Sequence, residues 1–374
     1  MSGHGEGAPR DTFCLAWDQA HGAKLVDFHG WRMPVSYGKG ILFEHEACRS
    51  RAGLFNISHM GRVWVTGPDA MTFSNYAFTN DLTRTAPDSA EYGMLLNERG
   101  GVIDDVILYK ETPERIFWVV NSTNIGKDVA QLSKLAAGRK VAIDNLSDRT
   151  SMMALQGPLA TKALASVVKG CDPAALPYFS FAQGTIRGHA VVVMATGYTG
   201  EDGYEIMVDH GGAPDVWDSL VSQAEVEPCG SGARDSLRLE AGLPLHGNEI
   251  SEKTQPTETF LMWAVKMDKP GGFFGKEALV LDPPRRLVGL TLEAAGIPRE
   301  GYPVLSGGKE AGVVTSGVYA PTLKKGIALA FVDKTFLDAP LAVSIRGKAV
   351  PAAKAKLPWY RNVTKKKAPK LPLV

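Results

Sequence analysis

One stretch constrains this chain more than any other: Asn97-Glu98-Arg99-Gly100-Gly101-Val102-Ile103-Asp104-Asp105-Val106-Ile107-Leu108-Tyr109. An apolar run from Tyr92 to Leu96 precedes it, and Asn-Glu-Arg-Gly-Gly between two such runs predicts a hairpin turn. The second strand then carries two adjacent carboxylates among β-branched and apolar residues, where Asp is a poor strand former. Side chains alternate across a strand. Asp104 therefore shares a face with Val102, Val106 and Leu108, and Asp105 with Ile103, Ile107 and Tyr109. Neither face is polar, so at least one carboxylate meets poor solvent. A group in that position must be hydrogen-bonded, paired or shifted in pKa, and such groups gather at functional sites. A structural carboxylate that caps a turn or meets an arginine fits the same pattern, and the pattern leaves both readings open. Facing opposite ways, the two cannot act as one acid–base dyad.

At 374 residues the chain is long for one domain and predicts two or three. Lys+Arg 41 against Asp+Glu 40 leaves a net charge of +1, so no global field draws it to nucleic acid or an anionic membrane. No apolar run approaches the roughly 20 residues of a transmembrane helix. The polar start, Met1 to Pro9, lacks the basic and apolar regions of a signal peptide. Cys14, Cys48, Cys171 and Cys229 are widely spaced with no CxxC pair, and read as reduced thiols, neither a disulfide framework nor a zinc site. The expectation is a cytoplasmic, multi-domain protein.

Apolar spacing predicts helices over 11–27, 40–52, 124–137, 214–225 and 233–242, with helix starts at Gly67-Pro68-Asp69 and Gly157-Pro158. Strands are predicted over 62–66, 141–145, 151–155 and 184–196, and Pro34 is expected to stop the segment after the Gly30-Trp31 turn. Residues 243–283 are irregular and mark a boundary. From 285 onward, short strands broken by Gly and Pro predict a small all-β domain. The basic residues Lys365, Lys366, Lys367 and Lys370 read as a solvated tail. Alternating strands and helices with frequent hairpins give an α+β class rather than a doubly wound sheet.

Several chemistries lack their signatures. Gly230-Ser-Gly232 fails GxGxxG at its third glycine, so no flavin or nicotinamide fingerprint is present. Gly271-Gly-Phe-Phe-Gly-Lys276 is one residue short of a P-loop, and Glu277 stands where Ser or Thr belongs. HExxH and GxSxG are absent, and the eight histidines miss metal-ligand spacings, so no metal site is expected. Carboxylate-assisted chemistry or binding remains.

Arg234 and Arg238 lie four apart on one helix face and need anions. Asp235 and Glu240 can supply them in an ion-pair network, or a ligand carboxylate can. Glu205, between Tyr204 and Ile206, is an exposed strand position or a buried acceptor for ligand N–H groups. Tyr92, Tyr109, Tyr178 and Tyr198 could line a flat aromatic slot or pack in the core. His59-Met60 reads as a satisfied core pair or as ligand contacts, and His29 and His45 as structural.

Taken together, Phe28-His-Gly-Trp-Arg-Met-Pro34, Phe55-Asn-Ile-Ser-His-Met-Gly61, Asn97 to Asp105, Gly197-Tyr-Thr-Gly-Glu-Asp-Gly203, Ala233 to Gly242, and Thr315-Ser-Gly317 with Pro321-Thr-Leu323 resemble the aminomethyltransferase family, the T-proteins of glycine cleavage. The resemblance runs from about residue 11 to 361. It implies a three-domain cloverleaf with mixed and antiparallel sheets and a C-terminal, barrel-like β domain. The implied partition is 1–57 with 147–250, then 58–146, a connecting segment 251–283, and 284–374. It implies tetrahydrofolate as co-substrate in a central channel, with no metal and no flavin, and the lipoylated H-protein as partner. The essential carboxylate falls on Asp105, the pterin-binding Glu on Glu205, and ligand-lining positions on Met60, Tyr92, Tyr109, Asn121, Tyr178, Tyr198 and Arg234. Asn56, His29, His246 and Thr257-Glu258-Thr259 depart from the family's usual pattern. These departures leave room for a folate-dependent demethylase of a small methylated substrate. A non-enzymatic folate-binding accessory protein is a second alternative, against which Leu243-Pro-Leu-His-Gly-Asn-Glu249 lacks the expected Cys.

Overall fold

The computed structural model describes residues 8–361. The basic tail residues named above, and most of the polar start, lie outside the described residues. Two sheets face each other across the functional region. One is seven-stranded, in the order Val168–Lys169, Phe181–Ile186, His189–Met194, Gly203–Asp209, Thr150–Gln156, Ala52–Asn56, Val226–Cys229. The other is five-stranded, in the order Ser89–Leu96, Val102–Thr112, Arg115–Val120, Gly61–Thr66, Ala142–Asn145. A short sheet of Arg10–Asp11, Trp31–Ser36 and Lys24–Phe28 stands apart, and six strands between Arg285 and Ala355 close a barrel. The α+β class and the C-terminal barrel are as expected.

Each unit has its own apolar core. Leu54, Leu155, Ile206 and Trp217 fill one side of the seven-stranded sheet, Val63, Phe73, Leu108 and Trp118 one side of the five-stranded sheet, and Leu290, Val304 and Ala330 the barrel. Three further clusters join the units. Phe55, Tyr109, Phe117, Met152, Met194 and Met207 pack between the two large sheets. Leu239 of the helix Ser231–Glu240 packs with Leu287 and Phe331 of the barrel. Met94, Leu96 and Val102 of the hairpin pack with Ile250, Leu261, Ala264 and Phe273. The connecting segment is therefore irregular but not loose. It is built of short 3-10 turns that bury apolar side chains against the back of the hairpin.

The two large sheets repeat one device. Strand Gly61–Thr66 runs through Gly67-Pro68 into helix Ala70–Ala77, and strand Thr150–Gln156 through Gly157-Pro158 into helix Ala160–Ala165. Gly67 sits at φ +123° and Gly157 at φ +132°, and a Cβ would meet Lys140 O at 2.4 Å or Arg51 O at 2.5 Å. Only glycine fits there.

The helix expected over 11–27 is shorter, spanning Leu15–Ala20. Gly22 at φ +69° ends it, and Lys24–Phe28 pairs as a strand with Trp31–Ser36 through a turn at His29 (φ +52°) and Gly30. Tertiary pairing here overrides the helical spacing. Pro34 does not stop that strand. Lys24–Phe28 still pairs alongside it, with Leu25 opposite Pro34, while on the other side Arg10–Asp11 reaches only Trp31 and Arg32, so the strand has an open edge at Pro34 where a missing N–H is tolerated.

Candidate active site

The hairpin is present, with Asn97 Oδ1 accepting from Arg99 and Gly101 N–H at 2.9 and 3.0 Å. Its register slips: Leu95 stands opposite Asp104, but Leu96 stands opposite Val102, which leaves Ile103 as an extra residue. Ile103 consequently packs with Val106 and Leu108, and not on the face of Ile107 and Tyr109 that strict alternation assigned it. Such a bulge twists a strand and re-aims its side chains.

Beyond the bulge the alternation holds. Ile107 and Tyr109 reach the core between the sheets, while Val106 and Leu108 face the opposite way. Asp104 is fully buried and accepts from Asn121 N–H at 2.7 Å, Asn121 Nδ2 at 2.9 Å and Asn124 Nδ2 at 2.6 Å. Asp105 stays partly exposed and accepts from Tyr92 O–H at 3.0 Å and Asn121 Nδ2 at 2.9 Å. Tyr92 stands opposite Ile107 and is therefore the diagonal cross-strand neighbour of Asp105 on the same face. The indole of Trp263 stacks on Tyr92 with ring centroids 5.5 Å apart. Burial, and next the adjacent Asp104 charge, push the Asp105 carboxyl up to about 7. That is the range in which a side chain exchanges protons readily at neutral pH.

The second half of the site comes from the facing sheet. Tyr109 O–H donates to Thr196 Oγ1 at 2.8 Å, and Thr196 donates onward to Glu205 Oε2 at 2.8 Å. Glu205 is buried in the middle of the seven-stranded sheet, so the buried alternative describes it. Burial raises its pKa, against a lowering pull from Thr196 and Arg234. Arg234 lies over the Tyr198 ring, 4.4 Å from its centroid. Its guanidinium makes no hydrogen bond or ion pair among the described residues. Tyr198 donates to Pro244 O and lies within electrostatic reach of both Asp105 and Arg234, so it links the halves. Tyr178 meets Phe179 edge-on at 4.8 Å and lies near Tyr109, and Met60 packs on the cluster that contains Tyr109. Hydrogen bonds, ring contacts and electrostatic reach thus connect Asp105, Tyr92, Asn121, Tyr198, Arg234, Glu205, Tyr109 and Tyr178, and Met60 packs on the same cluster as Tyr109.

The loop Gly197–Asp202 is pinned from behind. Gln156 Nε2 donates to Thr196 O at 3.1 Å, and Thr199 Oγ1 donates to Gln156 Oε1 at 2.9 Å. Arg49 binds Thr199 O at 2.7 Å and Glu201 at 2.9 Å. These bonds fix Thr196 and Tyr198 relative to Glu205.

The two arginines separate in role. Arg238 is buried and answered by Asp235 at 2.8 Å and Glu249 at 3.4 Å. Glu240 instead serves His45 at 3.2 Å and Arg49 at 3.1 Å, which corrects its expected pairing and confirms His45 as structural. His59 is not a satisfied core residue: it is buried, its Nδ1 has no partner, and burial holds its pKa down near 3. Asn56, a departure from the family pattern, donates to Thr12 Oγ1 at 2.8 Å and accepts from Ser58 N–H at 3.1 Å.

A cleft of about 300 Å³ opens between the same sheets, lined by Trp64, Tyr109, Phe117, Phe181, Met194 and Met207 and rimmed by Glu111, Arg115 and Asp209. Tyr109 borders it, but Asp105, Glu205 and Arg234 do not. Thr196 and Trp263 were not legible as site residues. Thr196 directly precedes the Gly-Tyr-Thr-Gly run, which is a usable signal. Trp263 lies in a segment without periodicity.

Residues 14–269 match the family model described as the GCVT N-terminal domain, and residues 285–361 the glycine cleavage T-protein C-terminal barrel domain. An aminomethyltransferase from Thermus thermophilus is 46% identical over 339 residues, covering 90% of this chain and 95% of that protein. One from Picosynechococcus is 41% identical over 348 residues, covering 91% and 95%. The crystal structure of the glycine cleavage system aminomethyltransferase T from Bartonella henselae superposes with a TM-score of 0.88 at 35% identity, covering 94% of this chain and 98% of that one. With both family domains matched in order and relatives of this similarity aligned along most of its length, the chain belongs to the aminomethyltransferase family, the T-proteins of glycine cleavage.

Proposed function

We propose that this enzyme transfers the one-carbon unit of an aminomethyl group, carried on the lipoyl arm of an H-protein, to tetrahydrofolate. The products are 5,10-methylenetetrahydrofolate, ammonia and the dihydrolipoyl carrier. In the overall change the carbon loses its bonds to sulfur and to the amine nitrogen and gains bonds to N5 and N10 of the folate. The two protons leaving N5 and N10 end on the sulfur and on ammonia.

The observation that carries this reading is Asp105, a carboxyl held by Tyr92 and Asn121 with its pKa pushed to about 7, in a site that also holds Glu205 and Arg234. A carboxyl so poised accepts a proton from a folate N–H and returns it to the departing amine, help worth roughly 10²–10⁴-fold. Holding two large substrates end to end supplies much of the remaining acceleration.

The residues fit the folate. Its pterin offers N–H donors, which a buried carboxylate such as Glu205 accepts. Its tail is anionic, and Arg234 is a partly buried cation with no carboxylate of the described residues at bonding distance. Its rings are flat, and Tyr92, Tyr198 and Trp263 offer aromatic faces. Equilibrium binding tests this part. Glu205→Gln removes a charge-assisted bond, worth about 1.5–3 kcal/mol, and should raise the tetrahydrofolate Kd by about 10- to 100-fold. Unchanged affinity in a folded Glu205→Gln protein would remove Glu205 from the folate site.

A further inference from the structure

Behind the site lies a third carboxyl that the proposed chemistry does not use. Asp128 sits in the first turn of the helix Ile125–Leu135, is fully buried, and neither of its oxygens meets an N–H or O–H donor from any other described residue. The group that faces it at hydrogen-bonding reach is another carboxyl, that of Asp104. Two carboxyls bond to each other only when one carries a proton. Asp104 already accepts from three N–H groups, two of Asn121 and one of Asn124, which suit it as the ionised partner. Burial and the Asp104 charge, with Asp105 adding to them, push the Asp128 carboxyl well above its usual range. Lys127, the cation nearest in sequence, pairs outward with Glu252. Asn124, at the helix N-cap position, makes no side-chain capping bond and spends its amide on Asp104 instead.

We propose that Asp128 is a positioning residue for the transfer reaction, a buried acid that donates from a proton-bearing oxygen to Asp104 and keeps Asp104 the carboxylate that orients Asn121. Asn121 Nδ2 then has two carboxylate oxygens to satisfy, Asp104 Oδ1 and Asp105 Oδ1, each at 2.9 Å. The chain Asp128–Asp104–Asn121–Asp105 fixes the amide's orientation and so the angle of Asp105. It also fixes where negative charge lies behind Asp105, and that charge is part of what raises the Asp105 pKa. The proposal rests on the role given to Asp105.

Two variants and one spectrum test it. Asp128→Asn keeps a donor toward Asp104, and should hold kcat within about threefold of wild type and leave the pH midpoint of the reaction in place. Asp128→Leu removes the donor. Asp104 then loses a hydrogen bond and no longer holds the Asn121 amide in one orientation. The rising limb of kcat/KM should shift to higher pH, because the Asn121 bond that lowers the Asp105 pKa is weakened, and kcat should fall by roughly 10- to 100-fold through misplacement of Asp105. KM for tetrahydrofolate should change little. Infrared spectra at pH 8.5 read Asp128 directly: the band of a neutral carboxyl should be present in wild type and Asp105→Asn and absent in Asp128→Asn. Loss of that band in wild type, or equal loss of kcat in Asp128→Asn and Asp128→Leu, overturns the proposal. If the band behaves as stated but Asp105→Asn keeps its turnover, the role of Asp105 fails while the proton assignment to Asp128 stands.

Discussion

Asp105→Asn should turn over about 10²- to 10⁴-fold more slowly than wild type, bind tetrahydrofolate within a few-fold of normal, and melt at a higher temperature. The stability outcome follows from the burial of the carboxyl. Asp105 has an ordinary carboxyl pKa when unfolded and one of about 7 when folded, because burial and Asp104 disfavour its charge. Between those values the folded state binds more protons than the unfolded state. Stability from this group is therefore complete at acid pH and is lost as pH rises through 7. The amide cannot ionise and escapes that loss, while Tyr92 and Asn121 retain a partner of the same shape. A carboxylate kept for structure would behave oppositely, with its removal lowering stability and sparing turnover. The kcat/KM profile adds a check. Wild type should gain activity as Asp105 ionises near pH 7, and the limb should vanish in Asp105→Asn.

Arg62→Met should destabilise the protein by about 3–5 kcal/mol, a large share of the roughly 5–15 kcal/mol that holds a typical domain. Arg62 is fully buried, and its bonding partners among the described residues are carbonyls and a hydroxyl rather than carboxylates. Its guanidinium binds the carbonyls of Ser58 and Thr150 at 2.8 Å, those of Met60 and Ser147, and Thr150 Oγ1 at 2.9 Å. Residues 57–60 and 146–149 are the two crossings between the large sheets, so one side chain staples both. Methionine fills the volume and leaves four carbonyls short of a donor, the costly way to lose a hydrogen bond. Because Met60 lies on one crossing, the site should loosen with it. Arg62→Lys, with fewer donors, should recover part of the loss. Chemical denaturation measures the difference, and a loss below about 1 kcal/mol would refute the staple.

How much of this was legible depends on whether the cause was local. The hairpin, and the opposite facing of Asp104 and Asp105, follow from turn chemistry and strand alternation. The bulge at Ile103 does not, because it arises from pairing with Leu95 and Leu96 on the other strand. The Gly-Tyr-Thr-Gly run marked the strand of Glu205. The relay from Tyr109 through Thr196 to Glu205 joins residues 87 and 9 positions apart, which no spacing rule connects. In the sequence Arg62 is simply the first residue of a predicted strand, and Asp128 one acid within a predicted helix. Burial set both roles, and burial is a property of the assembled sheets. Arg238 and Glu240 were placed in the right kind of network but with partly wrong partners, since Glu249 and Arg49 arrive from other segments.

The most direct test of the central claim uses the purified chain with tetrahydrofolate and an H-protein bearing an aminomethylated lipoyl arm. Ammonia and 5,10-methylenetetrahydrofolate should appear in equal amounts, with one dihydrolipoyl arm formed per turnover. Simple methylated sulfur compounds, aryl methyl ethers and methylamines should give no product. Folate product from one of those donors, with none from the aminomethylated H-protein, would contradict the account and assign the site to demethylation.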